Sequence, residues 1–138
     1  MSMYILDTDH VSLYQQAHPQ IVERVTRQNP NEIAVTVVTV EEQMRGWLSA
    51  IRKAEHSRLI WAYTGLQKTT EFYRHIQLLA FGEAALGRYD ELRRLRLRVG
   101  TQDLRIAAIA ISSNGTVITR NRRDFAQITG LQIADWTQ

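Results

Sequence analysis

Apolar positions along the chain fall into short continuous runs separated by longer stretches in which they recur at helical spacing. The first run, Tyr4-Ile5-Leu6, ends abruptly in Asp7-Thr8-Asp9-His10. Ile33 to Val38 is almost unbroken in β-branched residues, the composition of a parallel strand covered on both faces. Ile76 to Phe81, Thr116 to Thr119 and Leu131 to Ala134 are three further strand candidates. Between the strands, Ser12-Leu13-Tyr14-Gln15 has the form of a capping box and predicts a short helix interrupted at His18-Pro19. A second helix carries Ile21, Val22 and Val25 on one face and stops at Asn29-Pro30. From Thr39 a helix runs through Met44, Gly46, Trp47, Leu48 and Ile51, and residues 52–70 continue helically with Leu59, Ala62, Tyr63 and Leu66 at core spacing. This predicts a helical hairpin over about residues 40–70.

A further helix is expected from Glu83 to Val99, with Leu92, Leu95 and Val99 inward and Gly100 ending it. Residues 103–111 are small and apolar nearly all round, so that helix is expected to be buried against the sheet. Asn114-Gly115 signals a turn, and a short helix is expected from Asn121 to Ile128. Strands alternating with helices predict an α/β fold: a three-layer α/β/α sandwich whose central, mostly parallel sheet has four to five strands. At 138 residues the chain fits one domain, residues 1–138, with no linker, repeat or low-complexity segment.

Acids stand where the pattern changes from strand to helix. In open α/β sheets ligands bind at the carboxyl ends of the strands, where Asp7 and Asp9 are expected. Glu42, Asp103 and Asp124 share that setting, at or near the start of a helix after a strand or turn. Acids are also favoured in first turns as caps and by the helix dipole, and Thr39 with Glu42 and Asn121 with Asp124 suit that simpler role. Asp103, heading an apolar helix, suits it less. Four such acids at four junctions converge on one edge of a parallel sheet, and like charges held close need a cation. The donors are all oxygen, which selects magnesium or manganese over zinc or copper. The matching chemistry is metal-assisted attack of water on a phosphodiester.

Composition narrows this further. The absence of cysteine removes disulfides, thiolate zinc sites and thiol nucleophiles, and agrees with a cytoplasmic protein. No apolar run approaches the roughly 18 residues of a membrane span, and the first residues lack a signal-peptide layout. Net charge is +3, and fifteen of the seventeen basic residues are arginine, whose planar fork suits phosphate. Arg105, Arg120, Arg122 and Arg123 lie near the expected mouth of the site and are candidates for contacts with a nucleic-acid backbone, or else an ordinary solvated surface. The aromatic residues of the hairpin, Trp47, Trp61 and Tyr63, are expected in the core; if exposed they mark a protein interface.

Taken together, Leu6-Asp7-Thr8-Asp9-His10 with Ser12, then Thr39, Glu42 and Gly46 in a Thr-x-x-Glu-x-x-x-Gly pattern, Asp103 with Ile106-Ala107-Ala108, Ile118 to Phe125, and Gly130-Leu131 to Asp135-Trp136 resemble the PIN-domain ribonucleases, and among them the VapC-type toxins of bacterial toxin–antitoxin pairs. The resemblance spans the whole chain. It implies a metal-dependent endoribonuclease, acting as a toxin, with Mg2+ or Mn2+ held by Asp7, Glu42 and Asp103. Many relatives carry an acid at the position of Asn121; here Asp124 fits a variant of the pattern as fourth ligand, with Asn121 as a polar contact. Asp9 stands where the family often has Asn, so it is assigned, with Thr8 and Thr119, to supporting or substrate contacts. The resemblance also implies a homodimer and a small antitoxin lying across the active-site groove. Two rivals are a catalytically inactive PIN-like interaction module, suggested by Asn121, and a phosphorylatable receiver-like domain, which the Phe81-Gly82 ending of the third run disfavours.

Overall fold

Five parallel strands in the order β3-β2-β1-β4-β5 form the centre of the computed structural model, which describes residues 2–138. They are β1 (Tyr4–Leu6), β2 (Ile33–Thr36), β3 (Gln77–Leu79), β4 (Thr116–Ile118) and β5 (Gln132–Ala134). Seven helices flank them: α1 (Thr8–Gln15), α2 (Pro19–Arg27), α3 (Val37–Lys53), α4 (Leu59–Phe72), α5 (Glu83–Arg94), α6 (Thr101–Ser112) and α7 (Arg122–Phe125). The chain steps from β1 outward to β3, then crosses to β4 and β5 on the other side, so the strand order reverses beside β1. The expected α/β sandwich is present, and the sheet is wholly parallel.

Side-chain alternation along β1 and β4 explains how so short a sheet separates two cores. Ile5 pairs with Val117 and Leu6 with Ile118, and successive residues of a strand point to opposite faces. Ile5 and Val117 therefore join Leu92, Leu104, Ala107, Ala108 and Phe125 beneath α5, α6 and α7. Leu6 and Ile118 join Val11, Ile21, Val35 and Trp136 on the opposite face. All four strand residues are fully buried. Each contributes roughly 1.5–3 kcal/mol of transfer free energy. Gly115 is needed beside β1, because a Cβ there would stand 2.6 Å from Ile5 Cδ1.

The helical hairpin is α3 and α4, broken at Ala54-Glu55 before a single 3-10 turn. Several boundaries differ from expectation, among them β3, which stops at Leu79 and not Phe81, and α7, which ends at Phe125 and not Ile128. Ser12 lies inside α1, which begins four residues earlier because Asp7 caps it by accepting the His10 amide. The second strand stops at Thr36, since the Thr36 hydroxyl caps α3; Val37 and Val38 are thus helical despite their β-branched side chains, and Thr39 is not the helix start. α5 ends at Arg94, where Arg96 adopts φ 52°, and Gly100 instead precedes α6. Leu95, beyond that end, is 62 % exposed. Trp61 and Tyr63, expected in the core, are half exposed, and Ile60 beside them is 83 % exposed.

Candidate functional site

The carboxyl edge of the sheet collects the acids. Asp7 continues the ladder of β1, its amide donating to the Ile118 carbonyl at 3.0 Å. Its side chain then turns to cap α1, with Oδ1 accepting from the His10 amide at 2.8 Å, and the residue is almost fully buried. Crossover helices run antiparallel to the strands, so their N-termini return to the same edge. That brings in Glu42 near the start of α3, Asp103 in the first turn of α6 and Asp124 in α7.

Polar neighbours fix each carboxylate. The Thr8 hydroxyl lies 2.6 Å from Glu42 Oε1 and 3.0 Å from the Thr39 hydroxyl, so Thr39 belongs to the support of Glu42 and not to a capping box with it. Asn121 caps α7 and spans two acids, donating from Nδ2 to Asp124 Oδ2 at 3.0 Å and to Asp103 Oδ2 at 3.3 Å. The buried Thr119 hydroxyl accepts from the Asn121 amide at 2.8 Å and so sets the turn that aims Asn121. Asp124 serves the cap as well, its amide donating to Asn121 Oδ1.

The electrostatics report the crowding. Burial, and then the charges of Asp7, Glu42 and Asp124, push the Asp103 carboxyl up to about 6, against only a small opposing effect of the Asn121 hydrogen bond. A carboxyl surrounded by three others resists its last negative charge. A divalent cation removes that resistance, and an all-oxygen donor set suits a hard ion such as magnesium or manganese. Among the described residues, Asp7, Asp9 and His10 form the group that brings three potential ligand atoms within 4.8 Å of one another. Two of these are engaged elsewhere: Arg120 grips Asp9 with both Nε (2.6 Å) and Nη2 (2.9 Å), and His10 Nε2 accepts from the Trp136 amide at 3.3 Å. Asp7 is the member of that group that also faces Asp103.

The arginines separate into two sets. Arg120, Arg122 and Arg123 are exposed around β4's carboxyl end, Arg120 paired with Asp9. Arg105 turns away to lie 5.4 Å over the Tyr89 ring and to donate to Gln102 at 2.9 Å. A groove of about 710 Å³ opens beside the site between α1 and the hairpin, lined by Ser12, Gln15, Gly46, Trp47, Trp61 and Phe72 among others. Gly46 faces open space there, with nothing within 4 Å of where a Cβ would stand. Sequence reasoning missed Thr36 as the cap of α3, and the burial of His10 against Asp135 and Trp136. The sequence signal for Thr36 was a hydroxyl three residues before Thr39; no local pattern pointed to the second.

The model of the PIN domain family matches residues 4–131. The chain belongs to the PIN-domain family. Ribonuclease VapC1 of Haemophilus influenzae (strain R2866) is 30 % identical over 139 residues, covering 99 % of both chains. Among solved structures, the chain resembles DNA-bound VapBC from Salmonella typhimurium, with TM-score 0.80, 26 % identity and 99 % of each chain covered. It also resembles VapBC-1 from nontypeable Haemophilus influenzae, with TM-score 0.79, 26 % identity and the same coverage. The chain thus shares its fold with these solved structures over nearly its whole length. Among the described residues, no helix is long and apolar enough to cross a membrane.

Proposed function

We propose that this protein is a divalent-metal-dependent endoribonuclease, the toxin of a toxin–antitoxin pair, with Asp7, Glu42, Asp103 and Asp124 as its metal-holding residues. The observation that carries the reading is the Asp103 carboxyl, pushed up to about 6 by burial and by three neighbouring acids. Such a cluster is costly unless a cation neutralises it, and the Haemophilus relative named above is a ribonuclease. Asp7, Glu42, Asp103 and Asp124 would hold Mg2+ or Mn2+, whose chemistry would be Lewis-acid charge toward the attacking water and the phosphoryl oxygens.

The chain's own groups supply positioning. Thr8 holds Glu42, and Asn121 holds Asp103 and Asp124 in one orientation, so little rearrangement is needed when the ion and substrate arrive. Arg122 and Arg123 are free to meet backbone phosphates, and Arg120 can exchange Asp9 for a phosphate oxygen; Arg105, held against Tyr89, lies further from that role. Partner binding rests on the groove beside the site and the exposed Ile60, Trp61 and Tyr63, which suit an apolar segment of a small antitoxin. The relatives solved as VapBC complexes support that assignment.

The test is incubation of the purified chain with single-stranded RNA and Mg2+, with analysis of the product ends. Water attack with the 3′-oxygen leaving gives 5′-phosphate and 3′-hydroxyl ends, whereas attack by the neighbouring 2′-hydroxyl expels the 5′-oxygen and leaves a cyclic phosphate. Cyclic phosphate products, or cleavage that persists in excess EDTA, would contradict the proposal.

A further inference from the structure

His10 is fully buried and sits between two carboxylates and one backbone amide. Its Nδ1 is buried and makes no hydrogen bond; the Asp7 Oδ1 atom approaches it to 3.4 Å. Its Nε2 accepts the Trp136 amide at 3.3 Å and lies 3.6 Å from Asp135 Oδ1. A backbone N–H can only donate, so Nε2 must present a lone pair, and a neutral imidazole must then carry its proton on Nδ1. Asp135 does not compete for that proton, because its Oδ1 already accepts from both the Thr137 amide (2.8 Å) and the Thr137 hydroxyl (2.6 Å). The remaining N–H is a buried donor without an acceptor, and the carboxylate that stands beside it is Asp7, at 3.4 Å.

We propose that His10 is a positioning residue for Asp7: the carboxyl-terminal Asp135-Trp136 segment fixes its Nδ1–H tautomer, and that proton orients the Asp7 carboxylate toward Glu42 and Asp103. Oδ1 of Asp7 already accepts from the His10 amide, and the unpartnered ring N–H stands 3.4 Å from the same oxygen, close enough to hold it after a shift of a few tenths of an ångström, which leaves Oδ2 for the interior of the site. The device couples the last residues of the chain to its first strand. Trp136 is anchored for this task, 2 % exposed, with the Tyr4 ring 5.3 Å away and the Arg24 guanidinium 5.5 Å over its face. Donors to a ligating carboxylate generally matter almost as much as the ligand, because they set its orientation and basicity.

The inference rests on Asp7 being a metal ligand, and the test separates the two. Long-range 1H–15N correlation spectra of the metal-free protein read the tautomer directly: the expected pattern is protonated Nδ1 and bare Nε2 on His10. An Nε2–H tautomer, or a doubly protonated ring, overturns the proposal. Mn2+ affinity then distinguishes two substitutions. In His10→Asn the side-chain amide nitrogen can stand in for Nδ1 and keep the donor to Asp7, whereas in His10→Gln the amide oxygen can stand in for Nε2 and keep only the Trp136 contact. Affinity is expected to stay within about threefold of wild type in His10→Asn and to fall about 10–100-fold in His10→Gln. Melting is expected to report the other half, His10→Asn losing several degrees through the unpaired Trp136 amide. Equal Mn2+ affinities for the two variants overturn the positioning role. Unchanged Mn2+ affinity in Asp7→Asn would instead overturn the ligand assignment, while leaving the tautomer result to stand on the spectra alone.

Discussion

Residue by residue, the site trades stability for readiness. Asp103 carries the clearest sign of this: its carboxyl titrates near 6 in the fold against 3.8 for the ordinary group. Because the folded value is raised, the metal-free native state binds more protons than the unfolded chain between those two values, and stability falls as pH rises through that window. Melting of metal-free protein should therefore shift upward between pH 7 and pH 5, and Mn2+ affinity should weaken over the same interval as the ligand protonates. A Tm that drops on acidification across this range would contradict the assignment. Asp103→Asn should melt several degrees above wild type without metal, and lose the Tm increase that Mg2+ gives wild type. Thr8 acts through Glu42: Thr8→Val removes the 2.6 Å hydrogen bond without changing shape and should lower kcat about tenfold with KM for RNA little altered.

Among the elements, the hairpin shows how a local rule can reverse. Gly to Ala inside a helix usually stabilises by roughly 0.5–1 kcal/mol. At Gly65 in α4 a Cβ would stand 2.2 Å from the Trp47 ring, which itself packs edge-on against Trp61 at 5.2 Å. Overpacking of about 1–3 kcal/mol should win, so Gly65→Ala is expected to lower Tm and change the tryptophan near-UV CD while RNA cleavage stays within about twofold. The same elements show what the sequence revealed. Long helices and all five strands were legible because their apolar spacing is set by burial, as with Ile5 and Leu6 dividing between two cores. Boundaries were not, because caps decide them: Asp7 and Thr36 start helices that β-branched Val37 and Val38, or the box-like Ser12-x-x-Gln15, argue against. Asp7, Glu42 and Asp124 could be read from the junctions where a strand gives way to a helix, whereas Asp103 opens α6 directly after α5 and was marked only by its place at the head of an apolar helix. The His10, Asp135 and Trp136 contact spans 126 positions from His10 to Trp136 and leaves no periodic trace.

For the whole molecule, the charge distribution and the exposed apolar hairpin point to partners of different kinds. Arg122 and Arg123 lie exposed beside the acids, so Arg122→Ala with Arg123→Ala should weaken RNA binding across unrelated sequences and flatten its salt dependence. Light scattering should give a homodimer, with Trp61→Lys changing partner binding and not cleavage by the isolated chain. The central claim is narrower than these: a cation held by Asp7, Glu42, Asp103 and Asp124 at the carboxyl edge of the sheet cuts RNA. Its most direct measurement is the cleavage rate of one RNA by wild type and by Asp7→Asn, side by side, in Mg2+ and in excess EDTA. Wild type should cleave only with Mg2+, and Asp7→Asn should be slower by on the order of 10²–10³ while folding normally. Undiminished cleavage by Asp7→Asn, or by wild type in EDTA, would contradict the account.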